Sequence, residues 1–305
     1  MRWATLDGRP TRIIAHRGAS GLRPEHTRVG YELAIAQGAD LIEPDLVPSR
    51  DGVLFARHDA GLRRSTDIAR RRTFIARSTL DRLGRRDWPV HRFDRDEIAN
   101  LRAVQPFGRR GRAFDSRHPL PTFADVLDLA VTHSTPTHRI GIYPELKHPA
   151  HFAARGIDVT SICIDQLRAR GHGGKSDPVW VQCFDIEPLR RVHETLGLPV
   201  FFLVEAPEVG DEAWVRELHC RHPWLDGVAC SKTALIGARG SGDIVRLAHD
   251  LGWQVHAWTL RDDQVMADFA DVRGELHALF ELGVDALFAD FPETAVFERT
   301  RFRPR

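Results

Sequence analysis

The 305-residue sequence lacks long apolar runs, has only four cysteines and carries almost no net charge. Its longest apolar runs, such as residues 200–204, are far shorter than the roughly 20 residues of a membrane-spanning helix. The opening stretch MRWATLDGRPTRII contains no uninterrupted apolar core of the kind found in secretory signals. We therefore expect no stable membrane insertion and a cytoplasmic location.

Scarce cysteine and balanced charge narrow the functional classes further. The cysteines show neither CxxC spacing nor zinc-ligand spacing with histidine, and we expect all four to be small buried apolar side chains: Cys163, Cys183, Cys220 and Cys230. A formal net charge of +1 gives no reason to expect nucleic acid or an acidic membrane surface as a partner. The oligomeric state is left open, with a homodimer as one option.

The pattern along the chain predicts a parallel barrel. Short β-rich apolar runs alternate with helical patterns, as in repeated βαβ units. Eight candidate strands lie at residues 12–16, 41–46, 140–147, 179–184, 200–205, 227–231, 255–260 and 286–291. Eight strands close a TIM (β/α)8 barrel, whereas a dinucleotide-binding open sheet would have a Gly-rich loop after its first strand. We predict an α/β fold with one barrel domain over residues 1–305.

Residues 60–118 interrupt this rhythm and form a predicted insertion. They carry few periodic apolar positions and many arginines: Arg63, Arg64, Arg70, Arg71, Arg72, Arg85, Arg86, Arg109, Arg110 and Arg112. The segment follows an extended run at residues 53–58, so we expect it at the carboxyl ends of the strands, where barrel enzymes build their sites. Two interpretations stay open: a solvated excursion, or a lid whose positive field attracts a phosphate-bearing substrate.

Unusual polar residues stand at the carboxyl ends of the first predicted strands. They are His16, Arg17, Glu43, Asp45, His58, Glu145 and Lys147. Side chains alternate along a strand, so Glu43 and Asp45 point the same way, as do Glu145 and Lys147. Because the carboxyl ends of barrel strands converge, we expect these groups to share one site.

Three carboxylates in this predicted site indicate a metal. Glu43, Asp45 and Glu145 would repel one another by several kcal/mol without a neutralising charge. Carboxylate oxygens suit one divalent cation, Mg²⁺ or Ca²⁺, with water and substrate oxygens completing its shell. The alternative is that the acids only form ion pairs with Arg17 and Lys147.

Two histidines are candidates for proton transfer. His16 and His58 can each act as acid or base near neutral pH. With sixteen histidines in the chain, only their shared strand-end position singles them out. Arg17 would hold a phosphate oxygen in a forked geometry, and Lys147 would add a point charge beside the metal.

Six segments carry a resemblance to a known family. In order, they are IIAHRGASGLRPEHT, GADLIEPDLVPSRDGVLFARHD, IGIYPELK, VQCFD, HAWTLR and GVDALFADFP. Together they resemble the glycerophosphodiester phosphodiesterase family, in particular its bacterial glycerophosphoryl diester phosphodiesterases. The resemblance extends from about residue 12 to residue 292.

The resemblance implies a role for each matched residue. His16 and His58 match the catalytic histidines, Arg17 and Lys147 match the phosphate contacts, and the three acids match the metal ligands. Gln182 and Trp258 fall at positions that line the family's pocket, with Trp258 as an apolar wall beside the glycerol moiety. For both residues ordinary barrel packing is the alternative.

Three departures accompany the resemblance. Pro44 lies inside the E-x-D motif and removes a backbone donor, which predicts that sheet pairing loosens at Glu43. His26 replaces the asparagine of the wider family's PENT motif, although the bacterial subgroup also has histidine. The arginine-rich insertion is outside the shared motifs, so it carries no substrate preference over.

These observations predict hydrolysis of a small-molecule glycerophosphodiester. The expected substrates include glycerophosphocholine and glycerophosphoethanolamine, and the expected products are glycerol 3-phosphate and an alcohol. One alternative is a phospholipase-D-like lyase on the same fold that forms a cyclic phosphate. Another is a non-catalytic barrel that binds anions or nucleic acid through the insertion. The set of acids and histidines favours the enzyme.

Overall fold

A computed structural model describes residues 2–81, 83–205, 209, 211–237, 240 and 243–304. In chain order its strands are β1 Arg12–His16, β2 Leu41–Glu43, β3 Asp45–Pro48, β4 Leu54–Ala56, β5 Thr79–Leu80, β6 Arg86–Asp87, β7 Gly141–Ile142, β8 Glu145–Leu146, β9 Val181–Cys183, β10 Val200–Val204, β11 Gly227–Ser231, β12 Gln254–Leu260 and β13 Ala286–Ala289. All except β4, β5 and β6 pair in parallel around the barrel.

The helices follow the strands on the outside of the barrel. They are α1 Arg28–Ala36, α2 Arg95–Ala99, α3 Phe123–His133, α4 Pro149–Ala153, α5 Val159–Ala169, α6 Ile186–Leu196, α7 Glu212–Arg221, α8 Lys232–Leu235, α9 Asp243–Asp250, α10 Val272–Leu282 and α11 Pro292–Arg301. The start of α1 shows how the sequence sets these elements. The Thr27 hydroxyl accepts a hydrogen bond from the amide of Gly30, and Tyr31 and Ala34 face the core.

Two prolines interrupt neighbouring barrel strands at the same level. Pro44 separates β2 from β3, and Pro144 separates β7 from β8, because proline has no amide N–H for the ladder. Ile42 lies opposite Ile142 below the break, and Asp45 lies opposite Glu145 above it. The runs predicted as single strands at 41–46 and 140–147 are thus each two strands, and the predicted loosening at Glu43 falls at this break.

The barrel closes around these interrupted strands. β1 pairs with β2 on one side and with β13 on the other. The strands β8 to β13 continue in sequence order, and a bridge from Ile142 to Val179 connects β7 to the segment leading into β9. Counting each interrupted strand once gives eight parallel positions. The predicted TIM-like α/β barrel is confirmed.

Aromatic rings fill the barrel interior below its mouth. Tyr143, Trp180, Phe201 and Phe288 are at most 6% exposed and pack with the buried His256. Nδ1 of His256 lies 2.9 Å from the Tyr143 hydroxyl, so the imidazole is satisfied in this apolar setting. A second, larger core lies between the strands and the helices.

The insertion at residues 60–118 is packed against the barrel wall. It contains the hairpin of β5 and β6, helix α2 and short 3-10 helices at Asp67–Arg70, Arg72–Arg77 and Val90–Arg92. Eight of its apolar side chains are at most 2% exposed: Leu62, Ile68, Trp88, Val90, Phe93, Ile98, Leu101 and Ala103. The interpretation of this segment as a solvated excursion is therefore wrong. Its apolar residues are spaced irregularly along the sequence, but they form a buried core.

Two other features bear on the expectations about surfaces. Among the described residues, no helix combines the length and apolarity needed to cross a membrane.

Cys163, Cys183 and Cys230 are buried and unbridged, as predicted, but Cys220 is exposed on α7 and the expectation for it was wrong.

Candidate active site

His16 is held at the mouth of the barrel by a carboxylate from the neighbouring strand. β1 pairs with β13, so His16 at the end of one lies beside Asp290 after the other, and Nδ1 of His16 is 2.6 Å from Oδ1 of Asp290. With the proton on Nδ1, Nε2 is available as a proton acceptor. Burial, aided by Arg17, lowers the pKa of His16 to about 4. The imidazole is therefore neutral at pH 7.

Glu43, Asp45 and Glu145 form a buried cluster, the acidic triad. Each offers a carboxylate oxygen, and these oxygens lie within 4.8 Å of one another. Burial and the neighbouring acids raise the pKa of Glu43, and burial raises the pKa of Glu145 to about 8. Burial would also raise the pKa of Asp45, but Arg17 and Lys147 hold it well below its ordinary range.

The acidic triad fits a hard divalent cation. Oδ1 of Asp45 is buried and has no hydrogen-bond partner among the described residues. Lys147 Nζ lies 2.7 Å from Oε1 of Glu145 and 3.9 Å from Oδ1 of Asp45, so ion pairing accounts for part of the neutralisation. Two basic side chains, Arg17 and Lys147, face three carboxylates. The oxygen-only donor set and the remaining negative charge match Mg²⁺ or Ca²⁺.

Arg17 connects three acids at the mouth. Its backbone amide donates to Oε2 of Glu43 at 2.9 Å, and Nη1 donates to Oε2 of Glu25 at 3.0 Å. Nε lies 3.1 Å from Oδ2 of Asp45. The φ of Arg17 is 60°, a left-handed conformation that is uncommon for a residue with a side chain and turns the chain sharply after β1.

His26 belongs to the site, although its sequence position suggested little consequence. Nε2 of His26 lies 2.8 Å from Oδ2 of Asp45, and Nδ1 lies 2.8 Å from the Tyr31 hydroxyl. Tyr31 in turn donates to the backbone oxygen of Glu43 at 3.3 Å. The chain from Tyr31 through His26 therefore fixes one oxygen of Asp45 and leaves the other for the triad.

His58 reaches the site by a return strand. β4 runs antiparallel to β3, and the backbone amide of Arg57 donates to the backbone oxygen of Asp45 at 2.7 Å. This brings His58 back to the level of the triad. Nδ1 of His58 lies 2.6 Å from Oδ1 of Asp59, which again leaves Nε2 for chemistry. Burial opposes ionisation of Asp59, but the hydrogen bond to His58 holds the pKa of this carboxyl below its ordinary value.

Gln182 and Trp258 both face the site. Nε2 of Gln182 donates to Oε1 of Glu43 at 3.3 Å, and Gln182 lies in register with Glu145. The indole N–H of Trp258 donates to the backbone oxygen of Ala229 at 2.9 Å, which fixes the ring. The Trp258 ring meets Phe184 edge to face at 6.2 Å between centroids.

A cavity of about 660 Å³ joins these residues at the barrel mouth. Every site residue predicted from the sequence lines it, except Asp45, which is buried within the acidic triad. Further lining residues were not anticipated: Arg64, Phe107, Phe184, Asp185, Glu205 and Arg261. Arg64 and Phe107 come from the insertion, so this segment contributes part of the cavity wall.

Fold and site together define an α/β-barrel hydrolase of phosphoric diesters. The sequence profile described as "Glycerophosphoryl diester phosphodiesterase family" matches residues 16–294. The chain belongs to this family.

Relatives of the chain carry the corresponding name. The chain is 30% identical to a glycerophosphodiester phosphodiesterase of Haemophilus influenzae, over 93% of this chain and 88% of the relative. It is 28% identical to one of Treponema pallidum, over 93% and 90% of the two chains.

Solved structures show the same fold. A phosphodiesterase of Oleispira antarctica in complex with the product sn-glycerol-3-phosphate has a TM-score of 0.71 at 20% identity, over 96% of this chain and 98% of that one. A glycerophosphodiester phosphodiesterase of Agrobacterium tumefaciens has a TM-score of 0.60 at 21% identity, over 94% and 99%.

Proposed function

We propose that the chain is a metal-dependent glycerophosphodiester phosphodiesterase whose single barrel domain includes the insertion. Its substrates are glycerophosphodiesters such as glycerophosphocholine and glycerophosphoethanolamine, and its products are glycerol 3-phosphate and the free alcohol. The observation that carries the proposal is one cavity lined by two carboxylate-bound histidines, His16 and His58, and by Glu43 and Glu145 of the acidic triad. The product named with the Oleispira antarctica structure supports glycerol 3-phosphate as one of the two products.

Glu43, Asp45 and Glu145 would hold one Mg²⁺ or Ca²⁺. When bound, the cation supplies Lewis-acid stabilisation of negative charge on the phosphoryl oxygens. Gln182 and the amide of Arg17 donate to Glu43, while His26 donates to Asp45, so the ligand oxygens are oriented before substrate arrives.

Arg17 and Lys147 bind the phosphodiester. Both line the cavity and both are less than one-tenth exposed. Their partners among the carboxylates restrain them, so little side-chain entropy is lost when a phosphate oxygen binds. Trp258 and Phe184 form the apolar wall against which the glycerol carbons pack.

The two histidines divide the proton transfers. His16 is neutral at pH 7 and accepts a proton at Nε2 from the attacking hydroxyl or water, while Asp290 holds Nδ1 and stabilises the imidazolium that forms. His58, held at Nδ1 by Asp59, donates from Nε2 to the leaving alkoxide. Each transfer contributes about 10²–10⁴-fold. Attack by the glycerol 2-hydroxyl through a cyclic phosphate would require the same two residues.

The test is a product assay on the purified enzyme. After chelation with EDTA and re-addition of Mg²⁺ or Ca²⁺, phosphorus NMR should show glycerol 3-phosphate formed from glycerophosphocholine, and no turnover before the cation is restored. Accumulation of a cyclic phosphate from lysophospholipid, faster than diester hydrolysis, would instead identify a lyase. Absence of turnover with every cation, together with salt-dependent anion binding that survives chelation, would contradict the proposal.

A further inference from the structure

Arg110 is a buried arginine that extends from the insertion to the catalytic face of the barrel. Its side chain is only 2% exposed. Nε and Nη2 donate to the two oxygens of Asp263 at 2.8 and 3.0 Å, and Nη2 also donates to Oδ2 of Asp290 at 2.6 Å. Nη1 donates to the backbone oxygen of Ser20 at 3.3 Å. One guanidinium thus joins the insertion, the β12 side and the β13 side of the barrel.

The two oxygens of Asp290 have different partners. Oδ1 faces Nδ1 of His16 at 2.6 Å. Oδ2 accepts from Nη2 of Arg110 at 2.6 Å and from Nε of Arg261 at 3.0 Å. The carboxylate cannot rotate without losing both guanidinium contacts. The orientation of His16, and with it the direction of Nε2, therefore depends on what holds Oδ2.

Electrostatics support the same dependence. The Asp290 side chain is 1% exposed, and a buried carboxylate is costly unless charged partners compensate it. Of its two guanidinium partners, Arg110 is the buried one, whereas Arg261 is one-quarter exposed and lines the cavity. Arg110 is thus the partner whose position does not depend on solvent or on substrate.

Neighbouring contacts hold Arg110 in place. The amide nitrogen of the Gln105 side chain donates to the backbone oxygens of Ser20 and Arg23 at 3.0 and 3.1 Å. The guanidinium carbon of Arg110 lies 4.1 Å from the centre of the Phe107 ring. This part of the insertion is therefore anchored to the barrel by several groups, and removal of the Arg110 guanidinium alone leaves the other anchors.

We propose that Arg110 is a positioning residue for the reaction: it fixes Asp290, and Asp290 fixes His16. The insertion is then part of the frame that orients the proton acceptor, and its contribution does not depend on attracting substrate with positive charge. The inference rests on the proposed function, because it requires His16 to take part in catalysis.

A matched pair of variants of the full-length, metal-loaded enzyme tests this inference. Arg110→Met removes the guanidinium and keeps a long apolar side chain, while Arg109→Met removes the same charge from the exposed neighbouring position. We expect Arg110→Met to lower kcat by about 10–100-fold with little change in KM, as for lost orienting partners elsewhere. Arg109→Met should resemble the unaltered enzyme. Arg110→Lys should recover part of the loss through a single donor.

The pH profile separates positioning from a merely structural effect. Removing the positive charge of Arg110 leaves Asp290 less compensated, which favours protonation of His16, so the acidic limb of kcat/KM should move to higher pH in Arg110→Met. Arg109→Met should leave the limb in place. If Arg110→Met proves unstable, Asp263→Asn, which removes from a partly exposed position the carboxylate that holds Arg110, should lower kcat by a smaller factor with little change in KM.

The outcomes distinguish this inference from the proposed function. If His16→Gln retains full activity, the proposed function loses its proton acceptor. If His16→Gln is inactive while Arg110→Met keeps both the unaltered kcat and the unaltered pH limb, only the positioning inference is overturned. Equal rises in KM in the Arg109 and Arg110 variants, with kcat unchanged, would overturn it in favour of a field effect of the insertion.

Discussion

Asp45 lies directly opposite Glu145, each one residue after a proline that interrupts its strand. The register places two carboxylates side by side above the break, and Glu43 just before Pro44 completes the triad. A repulsive arrangement of this kind is stable only with charge compensation. The three acids are compensated differently: Arg17 and Lys147 lower the pKa of Asp45, whereas burial raises the pKa of Glu43 and of Glu145.

Glu43→Gln should abolish turnover and leave the metal-free fold unchanged. Burial and Asp45 raise the pKa of Glu43, because a buried negative charge beside a second carboxylate is unfavourable, so removing that charge should cost the metal-free protein little stability. Titration calorimetry should show weakened cation binding, and thermal unfolding of the metal-free proteins should coincide. Unchanged cation affinity would remove Glu43 from the ligand set.

Asp45→Asn should behave differently, with loss of stability as well as activity. Asp45 is charged and buried, and it faces Arg17 and His26. Removing one partner of a buried ion pair costs about 3–5 kcal/mol. Urea unfolding of metal-free samples should show this loss for Asp45→Asn and not for Glu43→Gln. Equal stability of the two variants would contradict this difference in how the two acids are compensated.

Substitution of either histidine should impair the reaction, and His16→Gln should also change its pH profile. Burial lowers the pKa of His16 to about 4, so activity is present above that pH and falls as the pH decreases through it. His16→Gln should remove this acidic limb, whereas His58→Gln should lower kcat by about 10²–10⁴-fold because the leaving alkoxide loses its proton donor. Both should still bind substrate. Retention of the acidic limb in His16→Gln, or of the unaltered kcat in His58→Gln, would exclude that residue from proton transfer.

His256 should make folding stability depend on pH. Burial among aromatic rings lowers its pKa from 6.5 to about 3, so below pH 6.5 the unfolded chain binds a proton that the folded chain does not. Stability from this group is complete above pH 6.5 and is lost toward pH 3, with a slope of about 1.4 kcal/mol per pH unit. Urea unfolding between pH 4 and 7 should show a shallower dependence for His256→Gln. Parallel curves for the two proteins would contradict this assignment.

The sequence was sufficient to predict the barrel and to predict that the polar residues at its strand ends lie together at one mouth. Alternation along strands places Glu43 and Asp45 together, and the pairing of β3 with the neighbouring strand β8 brings Glu145 beside them. Asp290 obeys the same rule, since it directly follows β13, and the GVDALFADFP segment contained the signal. Asp290 was not predicted as a site residue, because a single acid at a strand end has no charged neighbour in sequence to mark it.

Other site residues could not be predicted from local patterns. His26 meets Asp45 through a turn with a positive φ of 53°, which no periodicity encodes. Arg110 reaches Asp290 across 180 residues of chain, and among many arginines of the insertion nothing in the sequence marks it. Contacts of this kind depend on tertiary packing, in which a side chain's partner is set by the fold and not by its neighbours.

The aromatic rings below the site also limit how small molecules can reach the cavity. Tyr143, Phe201 and Phe288 close the barrel beneath the acidic triad with almost no exposed surface. Under the proposed function, water, substrate and products would then enter and leave through the mouth of the barrel, where the described residues form the cavity. Under the proposed function, a glycerol phosphate still bound in the cavity would block the next substrate molecule, so inhibition by this product should be competitive with substrate, and release of the product should set an upper limit on the turnover rate.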